Sequence, residues 1–294
     1  MPAVVSSERA PKVALPSLDT VWIQLTGTLC NLACLHCFIT CGPKEERVPM
    51  MTSVEVRRTL AEAAALGVRE YYFTGGEPML HPDFWALCEA ALAVGPLTVL
   101  TNGTLIDDAG AARTAELFER SRYSFDLRIS LDGMTAEKND AVRGKGTYVQ
   151  ITAAVARLAA YGLSPNLTVV AHDDDMTDKD ARLAFLAFTR TLGLTRPRVK
   201  FMPLLRLGRE PRRTREYDAA ELDCLDGELA RGIAEALVCG SSRLVAAGGV
   251  YTCPILLDAP DARVGDTLAE SSKPISLRWA ACRTCVVEGL SCNT

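Results

Sequence analysis

Three cysteines stand at C-x3-C-x2-C spacing in Cys30-Asn31-Leu32-Ala33-Cys34-Leu35-His36-Cys37, directly after a strand-like run at 21–26. Thiolates this close on a loop leaving a strand can grip three corners of a small iron–sulfur cluster. A closed [4Fe–4S] site would want a fourth cysteine at ferredoxin spacing, so a three-cysteine loop leaves one iron open to another ligand. Zinc is the competing chemistry. Tetrahedral zinc sites usually pair two cysteine knuckles, and the C-terminal cysteines could supply a missing ligand.

Further along, Gly75-Gly76-Glu77-Pro78 follows a second strand-like run. Its glycines let the backbone approach a ligand closely, and the proline stiffens the exit. Ser130 and Asp132 alternate along another strand and can offer two hydrogen-bonding groups to one face. Arg143 brings a bidentate fork suited to a carboxylate. Singly, these have ordinary explanations: a tight turn, an Asp-Gly turn, a solvated arginine. In this order behind the cysteine loop they resemble the radical SAM superfamily, whose open iron chelates the amino and carboxylate groups of S-adenosylmethionine. The resemblance implies that Cys30, Cys34 and Cys37 hold a [4Fe–4S] cluster, with His36 where the family carries an aromatic residue packed on the cofactor. It implies that Gly75, Gly76 and Glu77 contact the methionine amino group and that Ser130 and Asp132 touch the ribose. Arg143 would lie near the cofactor carboxylate, and Asn102, in Thr101-Asn102-Gly103, would face the cavity that cofactor and substrate share.

A second constellation follows at Cys253, Cys282, Cys285 and Cys292. With Gly249-Val250-Tyr251-Thr252 and Gly265-Asp266 it resembles the SPASM/twitch extension of the same enzymes. Seven cysteines make the full SPASM pattern, and this tail has four. One auxiliary [4Fe–4S] cluster is therefore implied, closed by four thiolates and acting as an electron conduit; zinc on the same cysteines is the alternative. Cys88, Cys224 and Cys239 read as core thiols, because free cysteine buries readily. Cys41 reads as a spare thiol beside the first cluster and a candidate catalytic residue. In the basic run after the sixth strand, Arg206 and Arg209 could meet an anionic substrate group. His81 and His172 read as structural or surface residues.

These residues need strand ends to stand on. The chain of 294 residues is nearly half hydrophobic, with a net charge of −4. That size suits one large domain with a small appendage, and that charge argues against a general nucleic-acid binder. No apolar run suggests a membrane span or a signal peptide. Eleven cysteines without a secretory signal read as metal ligands and buried thiols in a reducing cytoplasm.

Strands are expected at 21–26, 68–74, 97–101, 126–131, 167–171 and 199–205. Helices are expected from the Thr52/Glu55 capping box with a stripe of Val56, Leu60, Ala63 and Ala64; from near Pro82; over 109–120; around Tyr148, Ile151, Val155 and Leu158; and from a cap at Thr177. The fold class is α/β: a partial (β/α)6 TIM-like barrel with a small C-terminal iron–sulfur extension. The segments are a flexible 1–19, a barrel at 20–215, and a linker helix with the auxiliary-cluster domain at 216–294. The motifs all fall where barrel active sites gather, at the C-terminal ends of strands.

The expected activity is reductive cleavage of S-adenosylmethionine to a 5′-deoxyadenosyl radical that takes hydrogen from a substrate C–H bond. Net oxidation of a small metabolite or a ribosomally made peptide would follow, by dehydrogenation, crosslinking or thioether formation. A flavodoxin or ferredoxin would supply electrons, and neither nucleic acid nor membrane is a partner. The residues before Val21 are too few for a peptide-recognition domain, which leans toward a small metabolite or a peptide delivered by a separate protein. An iron–sulfur electron carrier and a zinc-stapled interaction module are the alternatives.

Overall fold

Short β-rich runs alternate along the chain with stretches of helical period near 3.6, and strands and helices alternate accordingly. The computed structural model describes residues 10–171, 179–225 and 228–289. A short strand β1 (Lys12–Val13) precedes β2 (Thr20–Gln24), α1 (Ser53–Ala65), β3 (Glu70–Thr74), α2 (Phe84–Leu92), β4 (Leu97–Thr101) and α3 (Asp108–Arg120). Then come β5 (Phe125–Ser130), α4 (Ala136–Arg143), α5 (Thr147–Ala160), β6 (Asn166–Ala171), α6 (Lys179–Thr191) and β7 (Arg198–Pro203). The remainder supplies α7 (Ala219–Leu222), α8 (Glu228–Ile233), β8 (Ser242–Ala246), β9 (Gly249–Tyr251), β10 (Arg263–Gly265), β11 (Ile275–Ser276) and α9 (Ala280–Val287).

Strands β2 to β7 lie side by side in chain order, all parallel. This is the open (β/α)6 barrel expected. The sheet does not stop at six strands: β8 joins β2 in parallel, and antiparallel β9 and β10 extend it. Residues 242–265 thus belong to the barrel sheet. A separate ribbon pairs β1 with β11.

Alternation along the strands separates two faces. Val21, Ile23, Tyr71, Phe73, Val99 and Ile129 join the inner faces of the helices in the largest core. Burying one such side chain stabilises the fold by about 2 kcal/mol. Trp22, Tyr72 and Leu244 turn the other way and pack with Cys30, Ile39 and Cys41. Trp22 stacks on Tyr72 with ring centroids 4.1 Å apart.

Three details depart from expectation. The inner face of α1 is Val56, Thr59, Leu60 and Ala63, and Ala64 is exposed because it lies one position past that stripe. Strand bounds shift by a residue or two: β2 ends at Gln24 rather than 26, β3 starts at Glu70 rather than 68, and β7 ends at Pro203 rather than 205. Helix α4 is mostly polar and carried no apolar stripe; Thr135 caps it by accepting from the Lys138 N–H. The cap expected at Thr177 lies outside the described residues.

The capping box is present in both halves. Thr52 Oγ1 accepts from the Glu55 N–H at 3.2 Å, and Glu55 Oε2 accepts from the Thr52 N–H at 2.7 Å. Thr52→Ala is expected to lower stability by about 1 kcal/mol, read as an earlier denaturant midpoint. An unmoved midpoint would show that the cap contributes nothing.

Candidate active site

Between β2 and α1 the chain forms a loop that pairs with itself. The Thr28 N–H bonds to Val48 O at 3.0 Å, the Gly42 N–H to Thr28 O at 3.2 Å, and the Cys30 N–H to Gly42 O at 3.1 Å. Gly27 sits at φ +54, where a Cβ would lie 1.9 Å from Val48 O. The end of β3 presses against this loop: the Glu77 N–H bonds to Leu29 O at 3.0 Å. A Cβ on Gly76 would stand 2.1 Å from Leu29 O and 2.8 Å from Cys30 Cβ. The paired glycines are thus needed first for the cysteine loop itself.

A cavity of about 220 Å3 opens at the C-terminal ends of the strands. Cys30, Cys34, His36, Cys37 and Cys41 line it, together with Gly75, Gly76, Asn102, Ser130 and Arg143. Thr168 also reaches the wall, and its Oγ1 has no hydrogen-bond partner among the described residues.

Glu77 and Asp132 do not line the cavity but brace it from behind. Glu77 is fully buried. Its Oε1 accepts from Thr101 Oγ1 (2.7 Å) and the Met79 N–H (3.1 Å), and its Oε2 accepts from the Asn102 N–H (2.7 Å). Burial pushes its carboxyl up to about 7 against the pull of these three donors. Asp132 Oδ2 stands 2.6 Å from His36 Nε2 and 2.8 Å from Arg143 Nε, while its Oδ1 accepts from the Val170 N–H at 2.9 Å. Burial alone would raise this carboxyl, but the Arg143 and His36 charges outweigh it and hold the group well below the usual carboxylate range. Asn102 closes a small ring, donating to Asn31 Oδ1 (2.8 Å) and accepting from Thr104 (2.6 Å).

The thiols are poised unequally. Burial pushes Cys30 up to about 12 and raises Cys34. The Cys41 thiol and, at 3.2 Å from Cys37 Sγ, the Cys41 N–H both lower Cys37, while the thiol–thiol contact, with burial, raises Cys41. Arg209, expected near substrate, instead grips the loop from outside the cavity: its Nη1 donates to Cys34 O at 3.2 Å and its N–H to Cys37 O at 3.1 Å. Arg206 is also turned away, paired with Glu221 and stacked over Tyr217. His81 is structural, its Nε2 2.9 Å from Met51 O. His172 lies outside the described residues.

A second small pocket of about 40 Å3, walled by Leu256, Leu277 and Trp279, is lined by Cys253, Cys282, Cys285 and also Cys239. Sequence reasoning set Cys239 aside as a core thiol. It lies just before β8, and the antiparallel turn from β8 into β9 returns the chain to Cys253; β8, on which that return depends, was not among the expected strands. Burial pushes Cys282 up to about 12. Cys292, expected as a ligand here, lies outside the described residues. Cys88 is a core thiol of the barrel, and Cys224 hydrogen-bonds Glu221 O.

Among the described residues no three His, Cys, Asp or Glu side chains converge to hold one metal ion. Tetrahedral zinc needs such convergence, whereas each cysteine of an iron–sulfur cluster holds a different corner. Thiols spread around one cavity therefore fit a cluster better than zinc.

The family model described as the radical SAM superfamily matches residues 25–185. Mycofactocin maturase MftC of Mycobacterium ulcerans is 36% identical over 174 residues, covering 58% of this chain and 45% of that protein. A GTP 3′,8-cyclase of Chlorobaculum tepidum is 32% identical over 194 residues, covering 64% of this chain and 54% of that one. The matched stretch thus spans about half of each relative. In fold, the chain is similar to Streptococcus suis SuiB bound to its precursor peptide SuiA, with a TM-score of 0.66 at 16% identity over 87% of this chain and 65% of that one.

Glu77 yields a pH prediction. Its folded pKa, about 7, lies above the ordinary 4.5, so its contribution is complete at pH below 4.5 and is lost as the pH rises through 7. Roughly 1 kcal/mol should disappear between pH 6 and pH 8. Glu77→Gln, which cannot titrate, is expected to flatten that slope in urea unfolding of the metal-free protein. A slope matching the wild type would contradict the assignment.

Proposed function

The chain belongs to the radical SAM superfamily, and from that premise we propose that it oxidatively modifies a ribosomally made peptide with S-adenosylmethionine. The observation that carries the substrate class is the cavity wall. Around the thiols it is built from Leu32, Phe38, Ile39, Leu100, Met202 and Ile255, and its cations are Arg128 and Arg143, the latter paired with Asp132. Such a wall suits an apolar peptide side chain. A nucleotide triphosphate, which the cyclase relative would suggest, asks for several cations. The likeness to MftC supports the peptide reading.

When bound, the first cluster supplies the electron that splits S-adenosylmethionine into methionine and a 5′-deoxyadenosyl radical. Cys30, Cys34 and Cys37 would hold three of its irons. His36, Gly75, Gly76, Asn102, Ser130 and Arg143 surround that position, with Glu77 and Asp132 fixing the strand ends behind them. The apolar wall would exclude water, which a reactive radical requires. Cys41, bonded to Cys37, is placed to bias that ligand. At the second pocket, Cys239, Cys253, Cys282 and Cys285 offer four thiols for a closed auxiliary [4Fe–4S] cluster, which suits electron transfer and hence an oxidoreductase. The thiols and clusters fit a reducing cytoplasm, with flavodoxin or ferredoxin as reductant. Among the described residues no helix is long and apolar enough to cross a membrane.

Two variants separate the sites. Cys34→Ala is expected to abolish 5′-deoxyadenosine formation. Cys285→Ala should keep part of it while losing about four irons per chain. The readouts are anaerobic iron content and a dithionite-driven cleavage assay; wild-type cleavage by Cys34→Ala would refute the proposal.

A further inference from the structure

Arg243, in β8, is the largest fully buried charged side chain among the described residues. Its guanidinium is bonded only to backbone carbonyls: Nε to Ser271 O (3.3 Å), Nη1 to Cys239 O and Ser242 O (2.7 Å each), and Nη2 to Lys273 O (3.0 Å). No carboxylate among the described residues balances it; burial disfavours its charge, and only Cys239 and Cys253, as thiolates, would oppose that. Arg143, also buried, shows the contrast, for it is matched by Asp132. An arginine stays protonated at any working pH, and a buried charge surrounded only by neutral groups is costly. Neutral thiols do not relieve that cost. Thiolates holding an iron–sulfur cluster do, because such a cluster carries net negative charge.

We propose that Arg243 is the buried counter-charge of the site formed by Cys239, Cys253, Cys282 and Cys285, and that it raises the reduction potential of the anionic cluster held there. The inference rests on the reading of those four thiols as one cluster site. Reduction adds negative charge, so a fixed cation nearby favours the reduced form. The hydrogen bond to Cys239 O ties the charge directly to a ligand-bearing residue. Arg243 is thus a positioning and tuning residue that touches neither substrate nor S-adenosylmethionine.

The test uses the full chain, reconstituted anaerobically in a Cys34→Ala background so that the second site alone is read. Iron is counted, and the potential is followed by electron paramagnetic resonance, for Arg243, Arg243→Lys, Arg243→Gln and Arg243→Met. The lysine variant should titrate near the parent. The two neutral variants should shift to more negative potential, by about tenfold in the reduction equilibrium constant, or lose iron that the lysine variant keeps. Glutamine retains donors for the carbonyls, so it carries the test if the methionine variant does not fold. A neutral variant with full iron and the parent potential would overturn the proposal, as would equal loss of iron in all three variants. Absence of second-site iron in the parent would instead overturn the reading of the four thiols as a cluster site, and this proposal with it.

Discussion

A carboxylate cut off from water must be met by positive charge and hydrogen bonds. At Asp132 that requirement ties together the parts of the cavity. The residue leaves β5, bonds the backbone of β6 through Val170, and faces His36 from the cysteine loop and Arg143 from the end of α4. Glu77 does the same between β3 and β4 through Thr101 and Asn102. Between them, two buried side chains join four strand ends and the loop. Removing Arg143 would leave the Asp132 charge short of its buried counter-charge, which ties the cysteine loop, β5 and α4 to one another.

The two cysteine sites solve different electrostatic problems. Around the first, burial disfavours thiolates at Cys30 and Cys34, while Cys41 and Arg209 favour one at Cys37. The cavity beside it is open enough for a cofactor and a side chain. The second is small and apolar, and the buried guanidinium of Arg243, bonded to Cys239 O, is held by carbonyls alone. An open site for chemistry and a closed site for electrons is the division these surroundings favour.

Much of the barrel was legible because its signals are local. Short β-rich runs marked β2 to β7, the Thr52/Glu55 box marked α1, and the order of the cysteine loop, the Gly75-Gly76 turn and Ser130 to Gly133 marked the site. What was missed depends on contacts far apart in the chain. β8 carries a buried arginine, Arg243, which breaks an apolar strand pattern. Cys239 enters the second site only through the pairing of that strand. Asp132, Arg143 and His36 were each assigned to the cofactor, and a one-dimensional reading could not show that they bind one another. Glu77 likewise spends its oxygens on Thr101, Asn102 and Met79, partners that only folding supplies.

On the function proposed, the three-cysteine loop would hold a cluster with one iron open to S-adenosylmethionine. The most direct test is electron paramagnetic resonance on the reconstituted, dithionite-reduced protein carrying Cys285→Ala, with and without S-adenosylmethionine. The account predicts that the signal of the remaining cluster changes shape when the cofactor is added. A signal unaltered by saturating S-adenosylmethionine would contradict it.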